Sequence, residues 1–186
     1  MLPGDDLVPD PAFASTRAIT IEVPAEAVWP WLVQIGQGRG GFYSYSWLEN
    51  LVGADIHNAD RIVSAWQDMR VGHTVRMAPP ERFGGHGRAI VMMLEPGRAL
   101  VLGPAMESPE ARQAAVQTGA GTWAFILDPI DAQTTRLIVR TRSHAWEAPQ
   151  VVFHLYDLAH FIMERKMMQG IKQRAERARQ VASTPA

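Results

Sequence analysis

The sequence predicts one α+β domain built on an antiparallel sheet. Three observations carry this. A short alternating strand (Ile19, Ile21, Val23) runs into a proline-started helix. Several period-two segments cluster between residues 73 and 143, separated by Pro/Gly turns. A long helical pattern closes the chain from about Pro149 to Val181. Strands grouped between helices, rather than alternating with them, favour antiparallel pairing.

Residues 1–15 carry Pro3, Pro9 and Pro11 and are expected as an extended leader. Thr16–Val23 alternates and forms the first strand. Pro24 ends it, and Pro-Ala-Glu suits a first helical turn. The helix runs from about Ala25 to Ile35 and stops at Gly36, with Pro30 inside it, so a short or bent helix is expected. A glycine-rich loop, Gly36 to Gly41, follows. Ser44 or Ser46 caps a second helix, and Glu49 lies three residues after Ser46 in a capping-box pattern. Leu48, Leu51 and Val52 form its apolar side, and Gly53 closes it. Residues 54–73 are a structured loop. His73–Met77, Gly87–Leu94, Arg98–Gly103, Gly121–Leu127 and Thr134–Ser143 are strands. The long connection Pro104–Ala120 is a candidate lid.

At 186 residues and 47% hydrophobic content, the chain can form a core and enclose a pocket as well. A net charge of -1 gives no footprint for nucleic acid. Cysteine is absent, which excludes disulfides, thiolate catalysis and cysteine zinc sites. The acidic, proline-broken start lacks signal-peptide features, and no apolar run approaches a membrane span, so a cytoplasmic protein is expected.

On the terminal helix, Leu155, Leu158, Ala159, Ile162, Met163, Met167, Gly170 and Ile171 share a broad apolar arc. Met163 and Met167 either line a pocket, where flexible thioethers suit irregular ligands, or pack in the core. Lys166 lies in the same arc. It either snorkels to solvent or points its ammonium at a ligand carboxylate or enolate. His160 and Tyr156 flank the arc. The basic tail (Lys172, Arg174, Arg177, Arg179) suits a solvated helix end. The aromatics Trp29, Trp31, Phe42, Tyr43, Tyr45, Trp47 and Trp66 crowd the first third, some as core and some as pocket walls. Trp123, Phe125 and Leu127 share a strand face with Leu137, Val139 and Thr141. That puts Arg136, Arg140 and Arg142 on the opposite, solvated face. A one-residue slip would turn them inward as an anion clamp.

Gly36–Gly41 satisfies G-x-G-x-x-G, with Asp60 downstream, but a helix precedes it and no strand-turn-helix frames it. It fits a sharp turn better than a dinucleotide site. Asp55, His57 and Asp60 offer metal ligands, but an Asp60–Arg61 loop anchor fits better. No catalytic triad or paired-carboxylate arrangement emerges from spacing, and no cofactor or metal is expected. A buried His57, His160 or Lys166 retains acid–base potential.

The strand-Pro-helix opening Val23–Leu32, the stretch from Trp31 through Tyr45 to Asp60-Arg61-Ile62, and His160–Met167 resemble the START/Bet v 1-like superfamily. That superfamily is also labelled SRPBCC or polyketide cyclase/dehydrase-like, and the likeness is to an uncharacterised bacterial subgroup. The resemblance implies a helix-grip fold over residues 16–182, a curved antiparallel sheet wrapped around the long C-terminal helix, with two short helices after the first strand. It also implies a cavity for a small hydrophobic ligand such as a lipid, polyketide or aromatic metabolite, in a carrier or sensor. The alternatives are a cyclase, dehydratase or hydrolase using a buried His or Lys, or an interaction protein with a filled cavity. Candidate ligand-binding residues are Trp31, Tyr43, Trp47, His57, Trp66, Met92, Trp123, Phe125, His160, Met163, Lys166 and Met167. No nucleic-acid partner and no membrane span are expected, and edge pairing into a homodimer stays open.

Overall fold

Strand β1 (Phe13–Ile21) opens a six-stranded antiparallel sheet. It continues with β2 (Thr74–Arg76), β3 (Arg88–Glu95), β4 (Ala99–Gly103), β5 (Gly121–Pro129) and β6 (Thr135–Ser143). The spatial order is β1-β6-β5-β4-β3-β2, so β1 crosses to pair with the last strand and the rest form a meander. Helices α1 (Ala25–Val33), α2 (Ser46–Leu51) and the single turn α3 (Pro80–Phe83) precede the long α4 (Gln150–Ser183). This computed structural model describes residues 1–83, 87–104, 120–144 and 150–183, without the side chains of 82–83, 150–156 and 182–183. The expected lid lies almost wholly outside the described residues, as do the side chains of Leu155 and Tyr156. Sheet, terminal helix and early helices together make the helix-grip architecture.

Strand alternation sorts the sheet into two faces. Ile21, Leu100, Leu102, Phe125, Leu127, Leu137 and Val139 turn inward, into a core shared with Val28, Trp31 and Leu32 of α1 and Met167, Met168, Ile171 and Ala175 of α4. Ala99, Val101, Ala124 and Ile126 turn outward into a second, smaller cluster closed by Leu2 and Leu7. The first eight residues therefore lie beneath the sheet, and β1 begins at Phe13, three residues earlier than alternation suggested.

The strand arginines follow the face that alternation assigns, away from the core, but two of them are not solvated. Arg140 and Arg142 have side chains 18% and 12% exposed, and both pair with Asp5 of the N-terminal segment. Arg142 also donates to the carbonyls of Val8 and Pro9, at 2.8 Å each. Of the basic helix tail, Arg177 and Arg179 are exposed as expected, but Lys172 and Arg174 are part-buried and tied down. Lys172 donates to Thr20 O at 2.6 Å, and Glu176 accepts from Glu22 N at 2.9 Å. Arg174 reaches Ala59 O and Asp60, at 2.8 and 2.9 Å.

The glycine loop takes no strand-turn-helix form. Gly36 and Gly41 bridge each other, and the amides of Gln37, Arg39 and Gly40 bond to Arg76, Gly36 and Gln34 carbonyls. Those amides face no open anion site, so a dinucleotide cradle is ruled out. Tyr43, at φ 56°, sits just after the loop. Its backbone nestles against α4 at Gly170. A Cβ there would fall 2.2 Å from Tyr43 O and 2.8 Å from Tyr43 Cβ.

This packing has two measurable consequences. Glycine inside a helix normally weakens it by roughly 0.5–1 kcal/mol relative to alanine. At Gly170 the sign reverses: Gly170→Ala destabilises by about 1–3 kcal/mol through overpacking against backbone, measured by denaturant unfolding. Burial alone would raise the Asp5 carboxyl, but the hydrogen bonds from Arg140 and the Leu2 amide and the charges of Arg140 and Arg142 outweigh it. Its pKa falls below 3.8. The stability this confers is complete above the unfolded-state pKa and is lost as pH falls through the lowered folded value. Asp5→Asn therefore lowers the melting temperature at about pH 7 and flattens its acid-side fall, read by thermal scans down to about pH 2.

Candidate functional site

A cavity of about 620 Å³ opens between the inner face of the sheet and the N-terminal half of α4. β1 contributes Phe13, β5 Gly121, Thr122 and Trp123, and β6 Thr141 and Ser143. The segment after the glycine loop supplies Phe42 and Ser44, α2 supplies Glu49, and the following loop supplies Ala54 and Ile56. Asp157, His160, Met163, Glu164 and Met167 come from α4, one helical turn after another. Phe42 and Trp123 make an aromatic wall, with centroids 6.2 Å apart, and Phe125 stands behind Trp123 at 4.6 Å.

Polar groups gather on this otherwise apolar lining. Glu164, its side chain only 1% exposed, pairs with Arg17 Nη1 and accepts from Trp123 Nε1 at 3.1 Å. Arg17 also approaches Asp157 at 4.0 Å, donates to Ser15 Oγ at 3.1 Å, and lies over the Phe161 ring. His160 Nε2 lies 4.0 Å from Glu164. Burial lowers the His160 pKa, against the pull of Glu164, and so favours the neutral imidazole. Burial lifts the Glu49 carboxyl to about 7, and Glu49 Oε2 is buried without a hydrogen-bond partner among the described residues. The same holds for Thr141 Oγ1.

Of the sequence candidates, Trp123, His160, Met163 and Met167 meet at this cavity. The others lie elsewhere. Trp31 and Tyr43 are core residues packed edge to face, with the Tyr43 hydroxyl donating to Trp31 O at 3.0 Å. Burial raises the Tyr43 pKa and keeps the phenol neutral. Phe125 is buried in a second row, and Met92 occupies the β3 bulge beside Gly103. Trp66 is half-buried in a 3₁₀ turn. His57 is an exposed partner of Asp55, 3.0 Å away. Trp47 is 68% exposed and stacks edge-on to Tyr45. Lys166 follows the snorkelling alternative, with Nζ over the Tyr45 ring at 5.5 Å. Among the described residues, no group of three or more His, Cys, Asp or Glu could hold a metal, and Asp60 instead anchors Arg174.

Two further corrections concern the helices around the site. No side-chain cap forms at the start of α2, so Glu49 does not complete a capping box and lines the cavity instead. Leu51 and Val52 are 76% and 66% exposed rather than packed. On α4, Leu158 and Ile162 are exposed, and the buried face is rotated toward Glu164, Met167, Met168 and Ile171. Glu49 and Glu164 line the cavity and Arg17 pairs with Glu164 behind it, and none of the three is among the sequence candidates. For Arg17 a signal existed, since it shares the alternating face of Ile19 and Ile21.

A scan of protein-family models and a search of curated protein sequences give no match. Similar solved structures include the Zhui aromatase/cyclase from a Streptomyces species, at 12% identity and TM-score 0.46, covering 93% of this chain and 99% of that one. A protein from Mesorhizobium loti is 14% identical, covering 89% and 98%, with TM-score 0.47. An Aha1 dimer from Colwellia psychrerythraea is 20% identical, covering 88% and 96%, with TM-score 0.45. At these identities no site residue is carried across. No helix among the described residues is long and apolar enough to cross a membrane.

The Arg17–Glu164 pair gives a measurable prediction. Arg17→Met strands a buried carboxylate and destabilises by about 3–5 kcal/mol in denaturant titration. Removing both charges, with Arg17→Met and Glu164→Met together, recovers most of that loss, because no uncompensated charge remains.

Proposed function

We propose that the protein binds a small hydrophobic molecule in the cavity between sheet and α4, as a carrier or sensor. The observation that supports it is the cavity itself. Its volume of about 620 Å³ falls within the roughly 300–1,000 Å³ typical of small-molecule sites. Apolar walls (Phe13, Phe42, Ile56, Trp123, Met163, Met167) carry a few polar groups able to fix orientation. Burying apolar ligand surface here contributes about 25 cal/mol per Å², less the cost of lost motion.

A second reading, chemical turnover in the same cavity, draws support from His160. This neutral imidazole stands on the wall with a carboxylate beside it, an arrangement suited to moving a proton. Lys166, the other sequence candidate for this role, is turned away toward Tyr45. On the turnover reading, protein incubated with a ligand recovered from it yields a product of altered mass. His160→Gln abolishes the conversion while retaining binding.

The binding proposal is tested with Nile red, a neutral apolar fluorophore. Wild-type protein binds it at one site with blue-shifted, enhanced emission. Met163→Trp fills the cavity and weakens binding at least about tenfold, with unfolding curves showing that the fold persists. Equal binding by both proteins, or none by wild type, overturns the proposal.

A further inference from the structure

The polar part of the cavity lining has a sign. Glu49, Asp157 and Glu164 are carboxyl groups, and no lysine or arginine is among the described lining residues. The nearest guanidinium, Arg17, is engaged by Glu164, Asp157 and Ser15 and covered by the Phe161 ring. Lys166, the cation that sequence spacing offered to a ligand carboxylate, lies over Tyr45 instead. Glu49 is different from the other two acids. Glu164 is ion-paired and Asp157 lies near Arg17, but Glu49 Oε2 is buried with no partner among the described residues. Thr141 Oγ1 adds a second such oxygen on the lining. Phe42 and Trp123 supply aromatic faces in the same enclosure.

Each feature bears on ligand chemistry. An anionic head, carboxylate or phosphate, would enter a lining rich in acids and meet no free cation among the described residues, and like charge disfavours it. A neutral alcohol could bond to Thr141 but would leave the burial of the Glu49 carboxyl uncompensated. An ammonium compensates the Glu49 charge through a charge-assisted hydrogen bond and is attracted to aromatic faces besides.

We infer that the cavity selects an apolar amine, with its ammonium seated at Glu49 and its hydrocarbon body between the Phe42–Trp123 wall and the α4 methionines. This rests on the cavity-binding reading above and adds the ligand's head group to it. Binding then draws Glu49 toward its ionised form. Because the empty-site carboxyl titrates at about 7, amine affinity rises as pH increases through neutrality. The other titratable groups on the lining are His144 after β6 and Asp157, His160 and Glu164 on α4, with Arg17 of β1 paired to Asp157 and Glu164 behind them. A protonated His160 would also oppose an ammonium, so the part of the pH slope that Glu49→Gln removes is the part that belongs to Glu49.

The test uses three probes with one ring system: naphthylmethylamine, naphthylmethanol and naphthoate, each competing with Nile red at about pH 8, where the amine is largely protonated. The expected result is that the amine binds at least about tenfold tighter than the alcohol, and naphthoate weakest. Glu49→Gln erases the amine's advantage over the alcohol and the corresponding pH slope, each probe's affinity being referred to the Nile red affinity measured for that same variant. If Nile red binds but the alcohol or naphthoate equals the amine, the amine inference is overturned and the cavity reading stands. An affinity order that Glu49→Gln leaves untouched likewise overturns the amine inference alone. If Nile red does not bind the wild-type protein, the cavity reading itself falls, and this inference with it.

Discussion

The seating of α4 on Tyr43 is the constraint from which the rest of the molecule is arranged. Only a residue without a Cβ fits at position 170, where the helix meets the Tyr43 backbone. That contact holds Tyr43 in a left-handed conformation, which costs about 1–2 kcal/mol for a non-glycine residue and needs support. Asn58 accepts from its amide at 2.7 Å, Trp31 O accepts from its hydroxyl, and Arg174 lies over its ring at 5.1 Å. The glycines just before it give the room this requires. A Cβ on Gly40 would fall 2.6 Å from the Tyr43 hydroxyl and 2.7 Å from Gln34 O. Phe42 and Ser44, the immediate neighbours of Tyr43, both line the cavity. One close approach thus sets the helix, the loop and part of the pocket wall together.

Charge placement follows a common pattern on both sides of the sheet. Inside, Arg17 sits among apolar side chains and is balanced by Glu164 from the helix. Outside, Arg140 and Arg142 are balanced by Asp5 from the N-terminal segment. In each case the arginine belongs to a strand and the acid arrives on a different element. Each pair therefore fixes how a second layer lies on the sheet, and carries geometric information as well as energy. The inner pair also bonds Trp123 through Glu164, which fixes an aromatic wall of the cavity.

Sequence periodicity located every strand among the described residues to within a few positions, because alternation and turn residues act locally. It also sorted the faces of β5 and β6, where Trp123, Phe125 and Leu127 turn inward with Leu137 and Val139. The failures share one cause, the absence of a rotational reference. An apolar arc on α4 shows that one side is buried without saying where the cavity interrupts the packing. Beside the cavity Leu158 and Ile162 stand exposed, while Glu164 takes an inward position. Glu49 was misread because a capping box and a cavity acid look identical in one dimension. Trp47 stands exposed because tryptophan bulk says nothing of what lies opposite, and for the same reason the mid-arc position of Lys166 left both of its alternatives open.

The side chains that hold the tail of α4 to β1 also bear on how the molecule meets others of its kind. At the C-terminal end of β1 the outward backbone groups are already occupied, with Thr20 O taken by Lys172 and the Glu22 amide by Glu176. A foreign strand approaching there finds no vacant ladder to extend. The opposite edge is β2, three residues long and too short to template a stable pairing by itself. The β2 margin and the C-terminal end of the β1 margin are thus poor seeds for fibrillar growth, and at the latter that resistance comes from a lysine and a glutamate four residues apart on one helix.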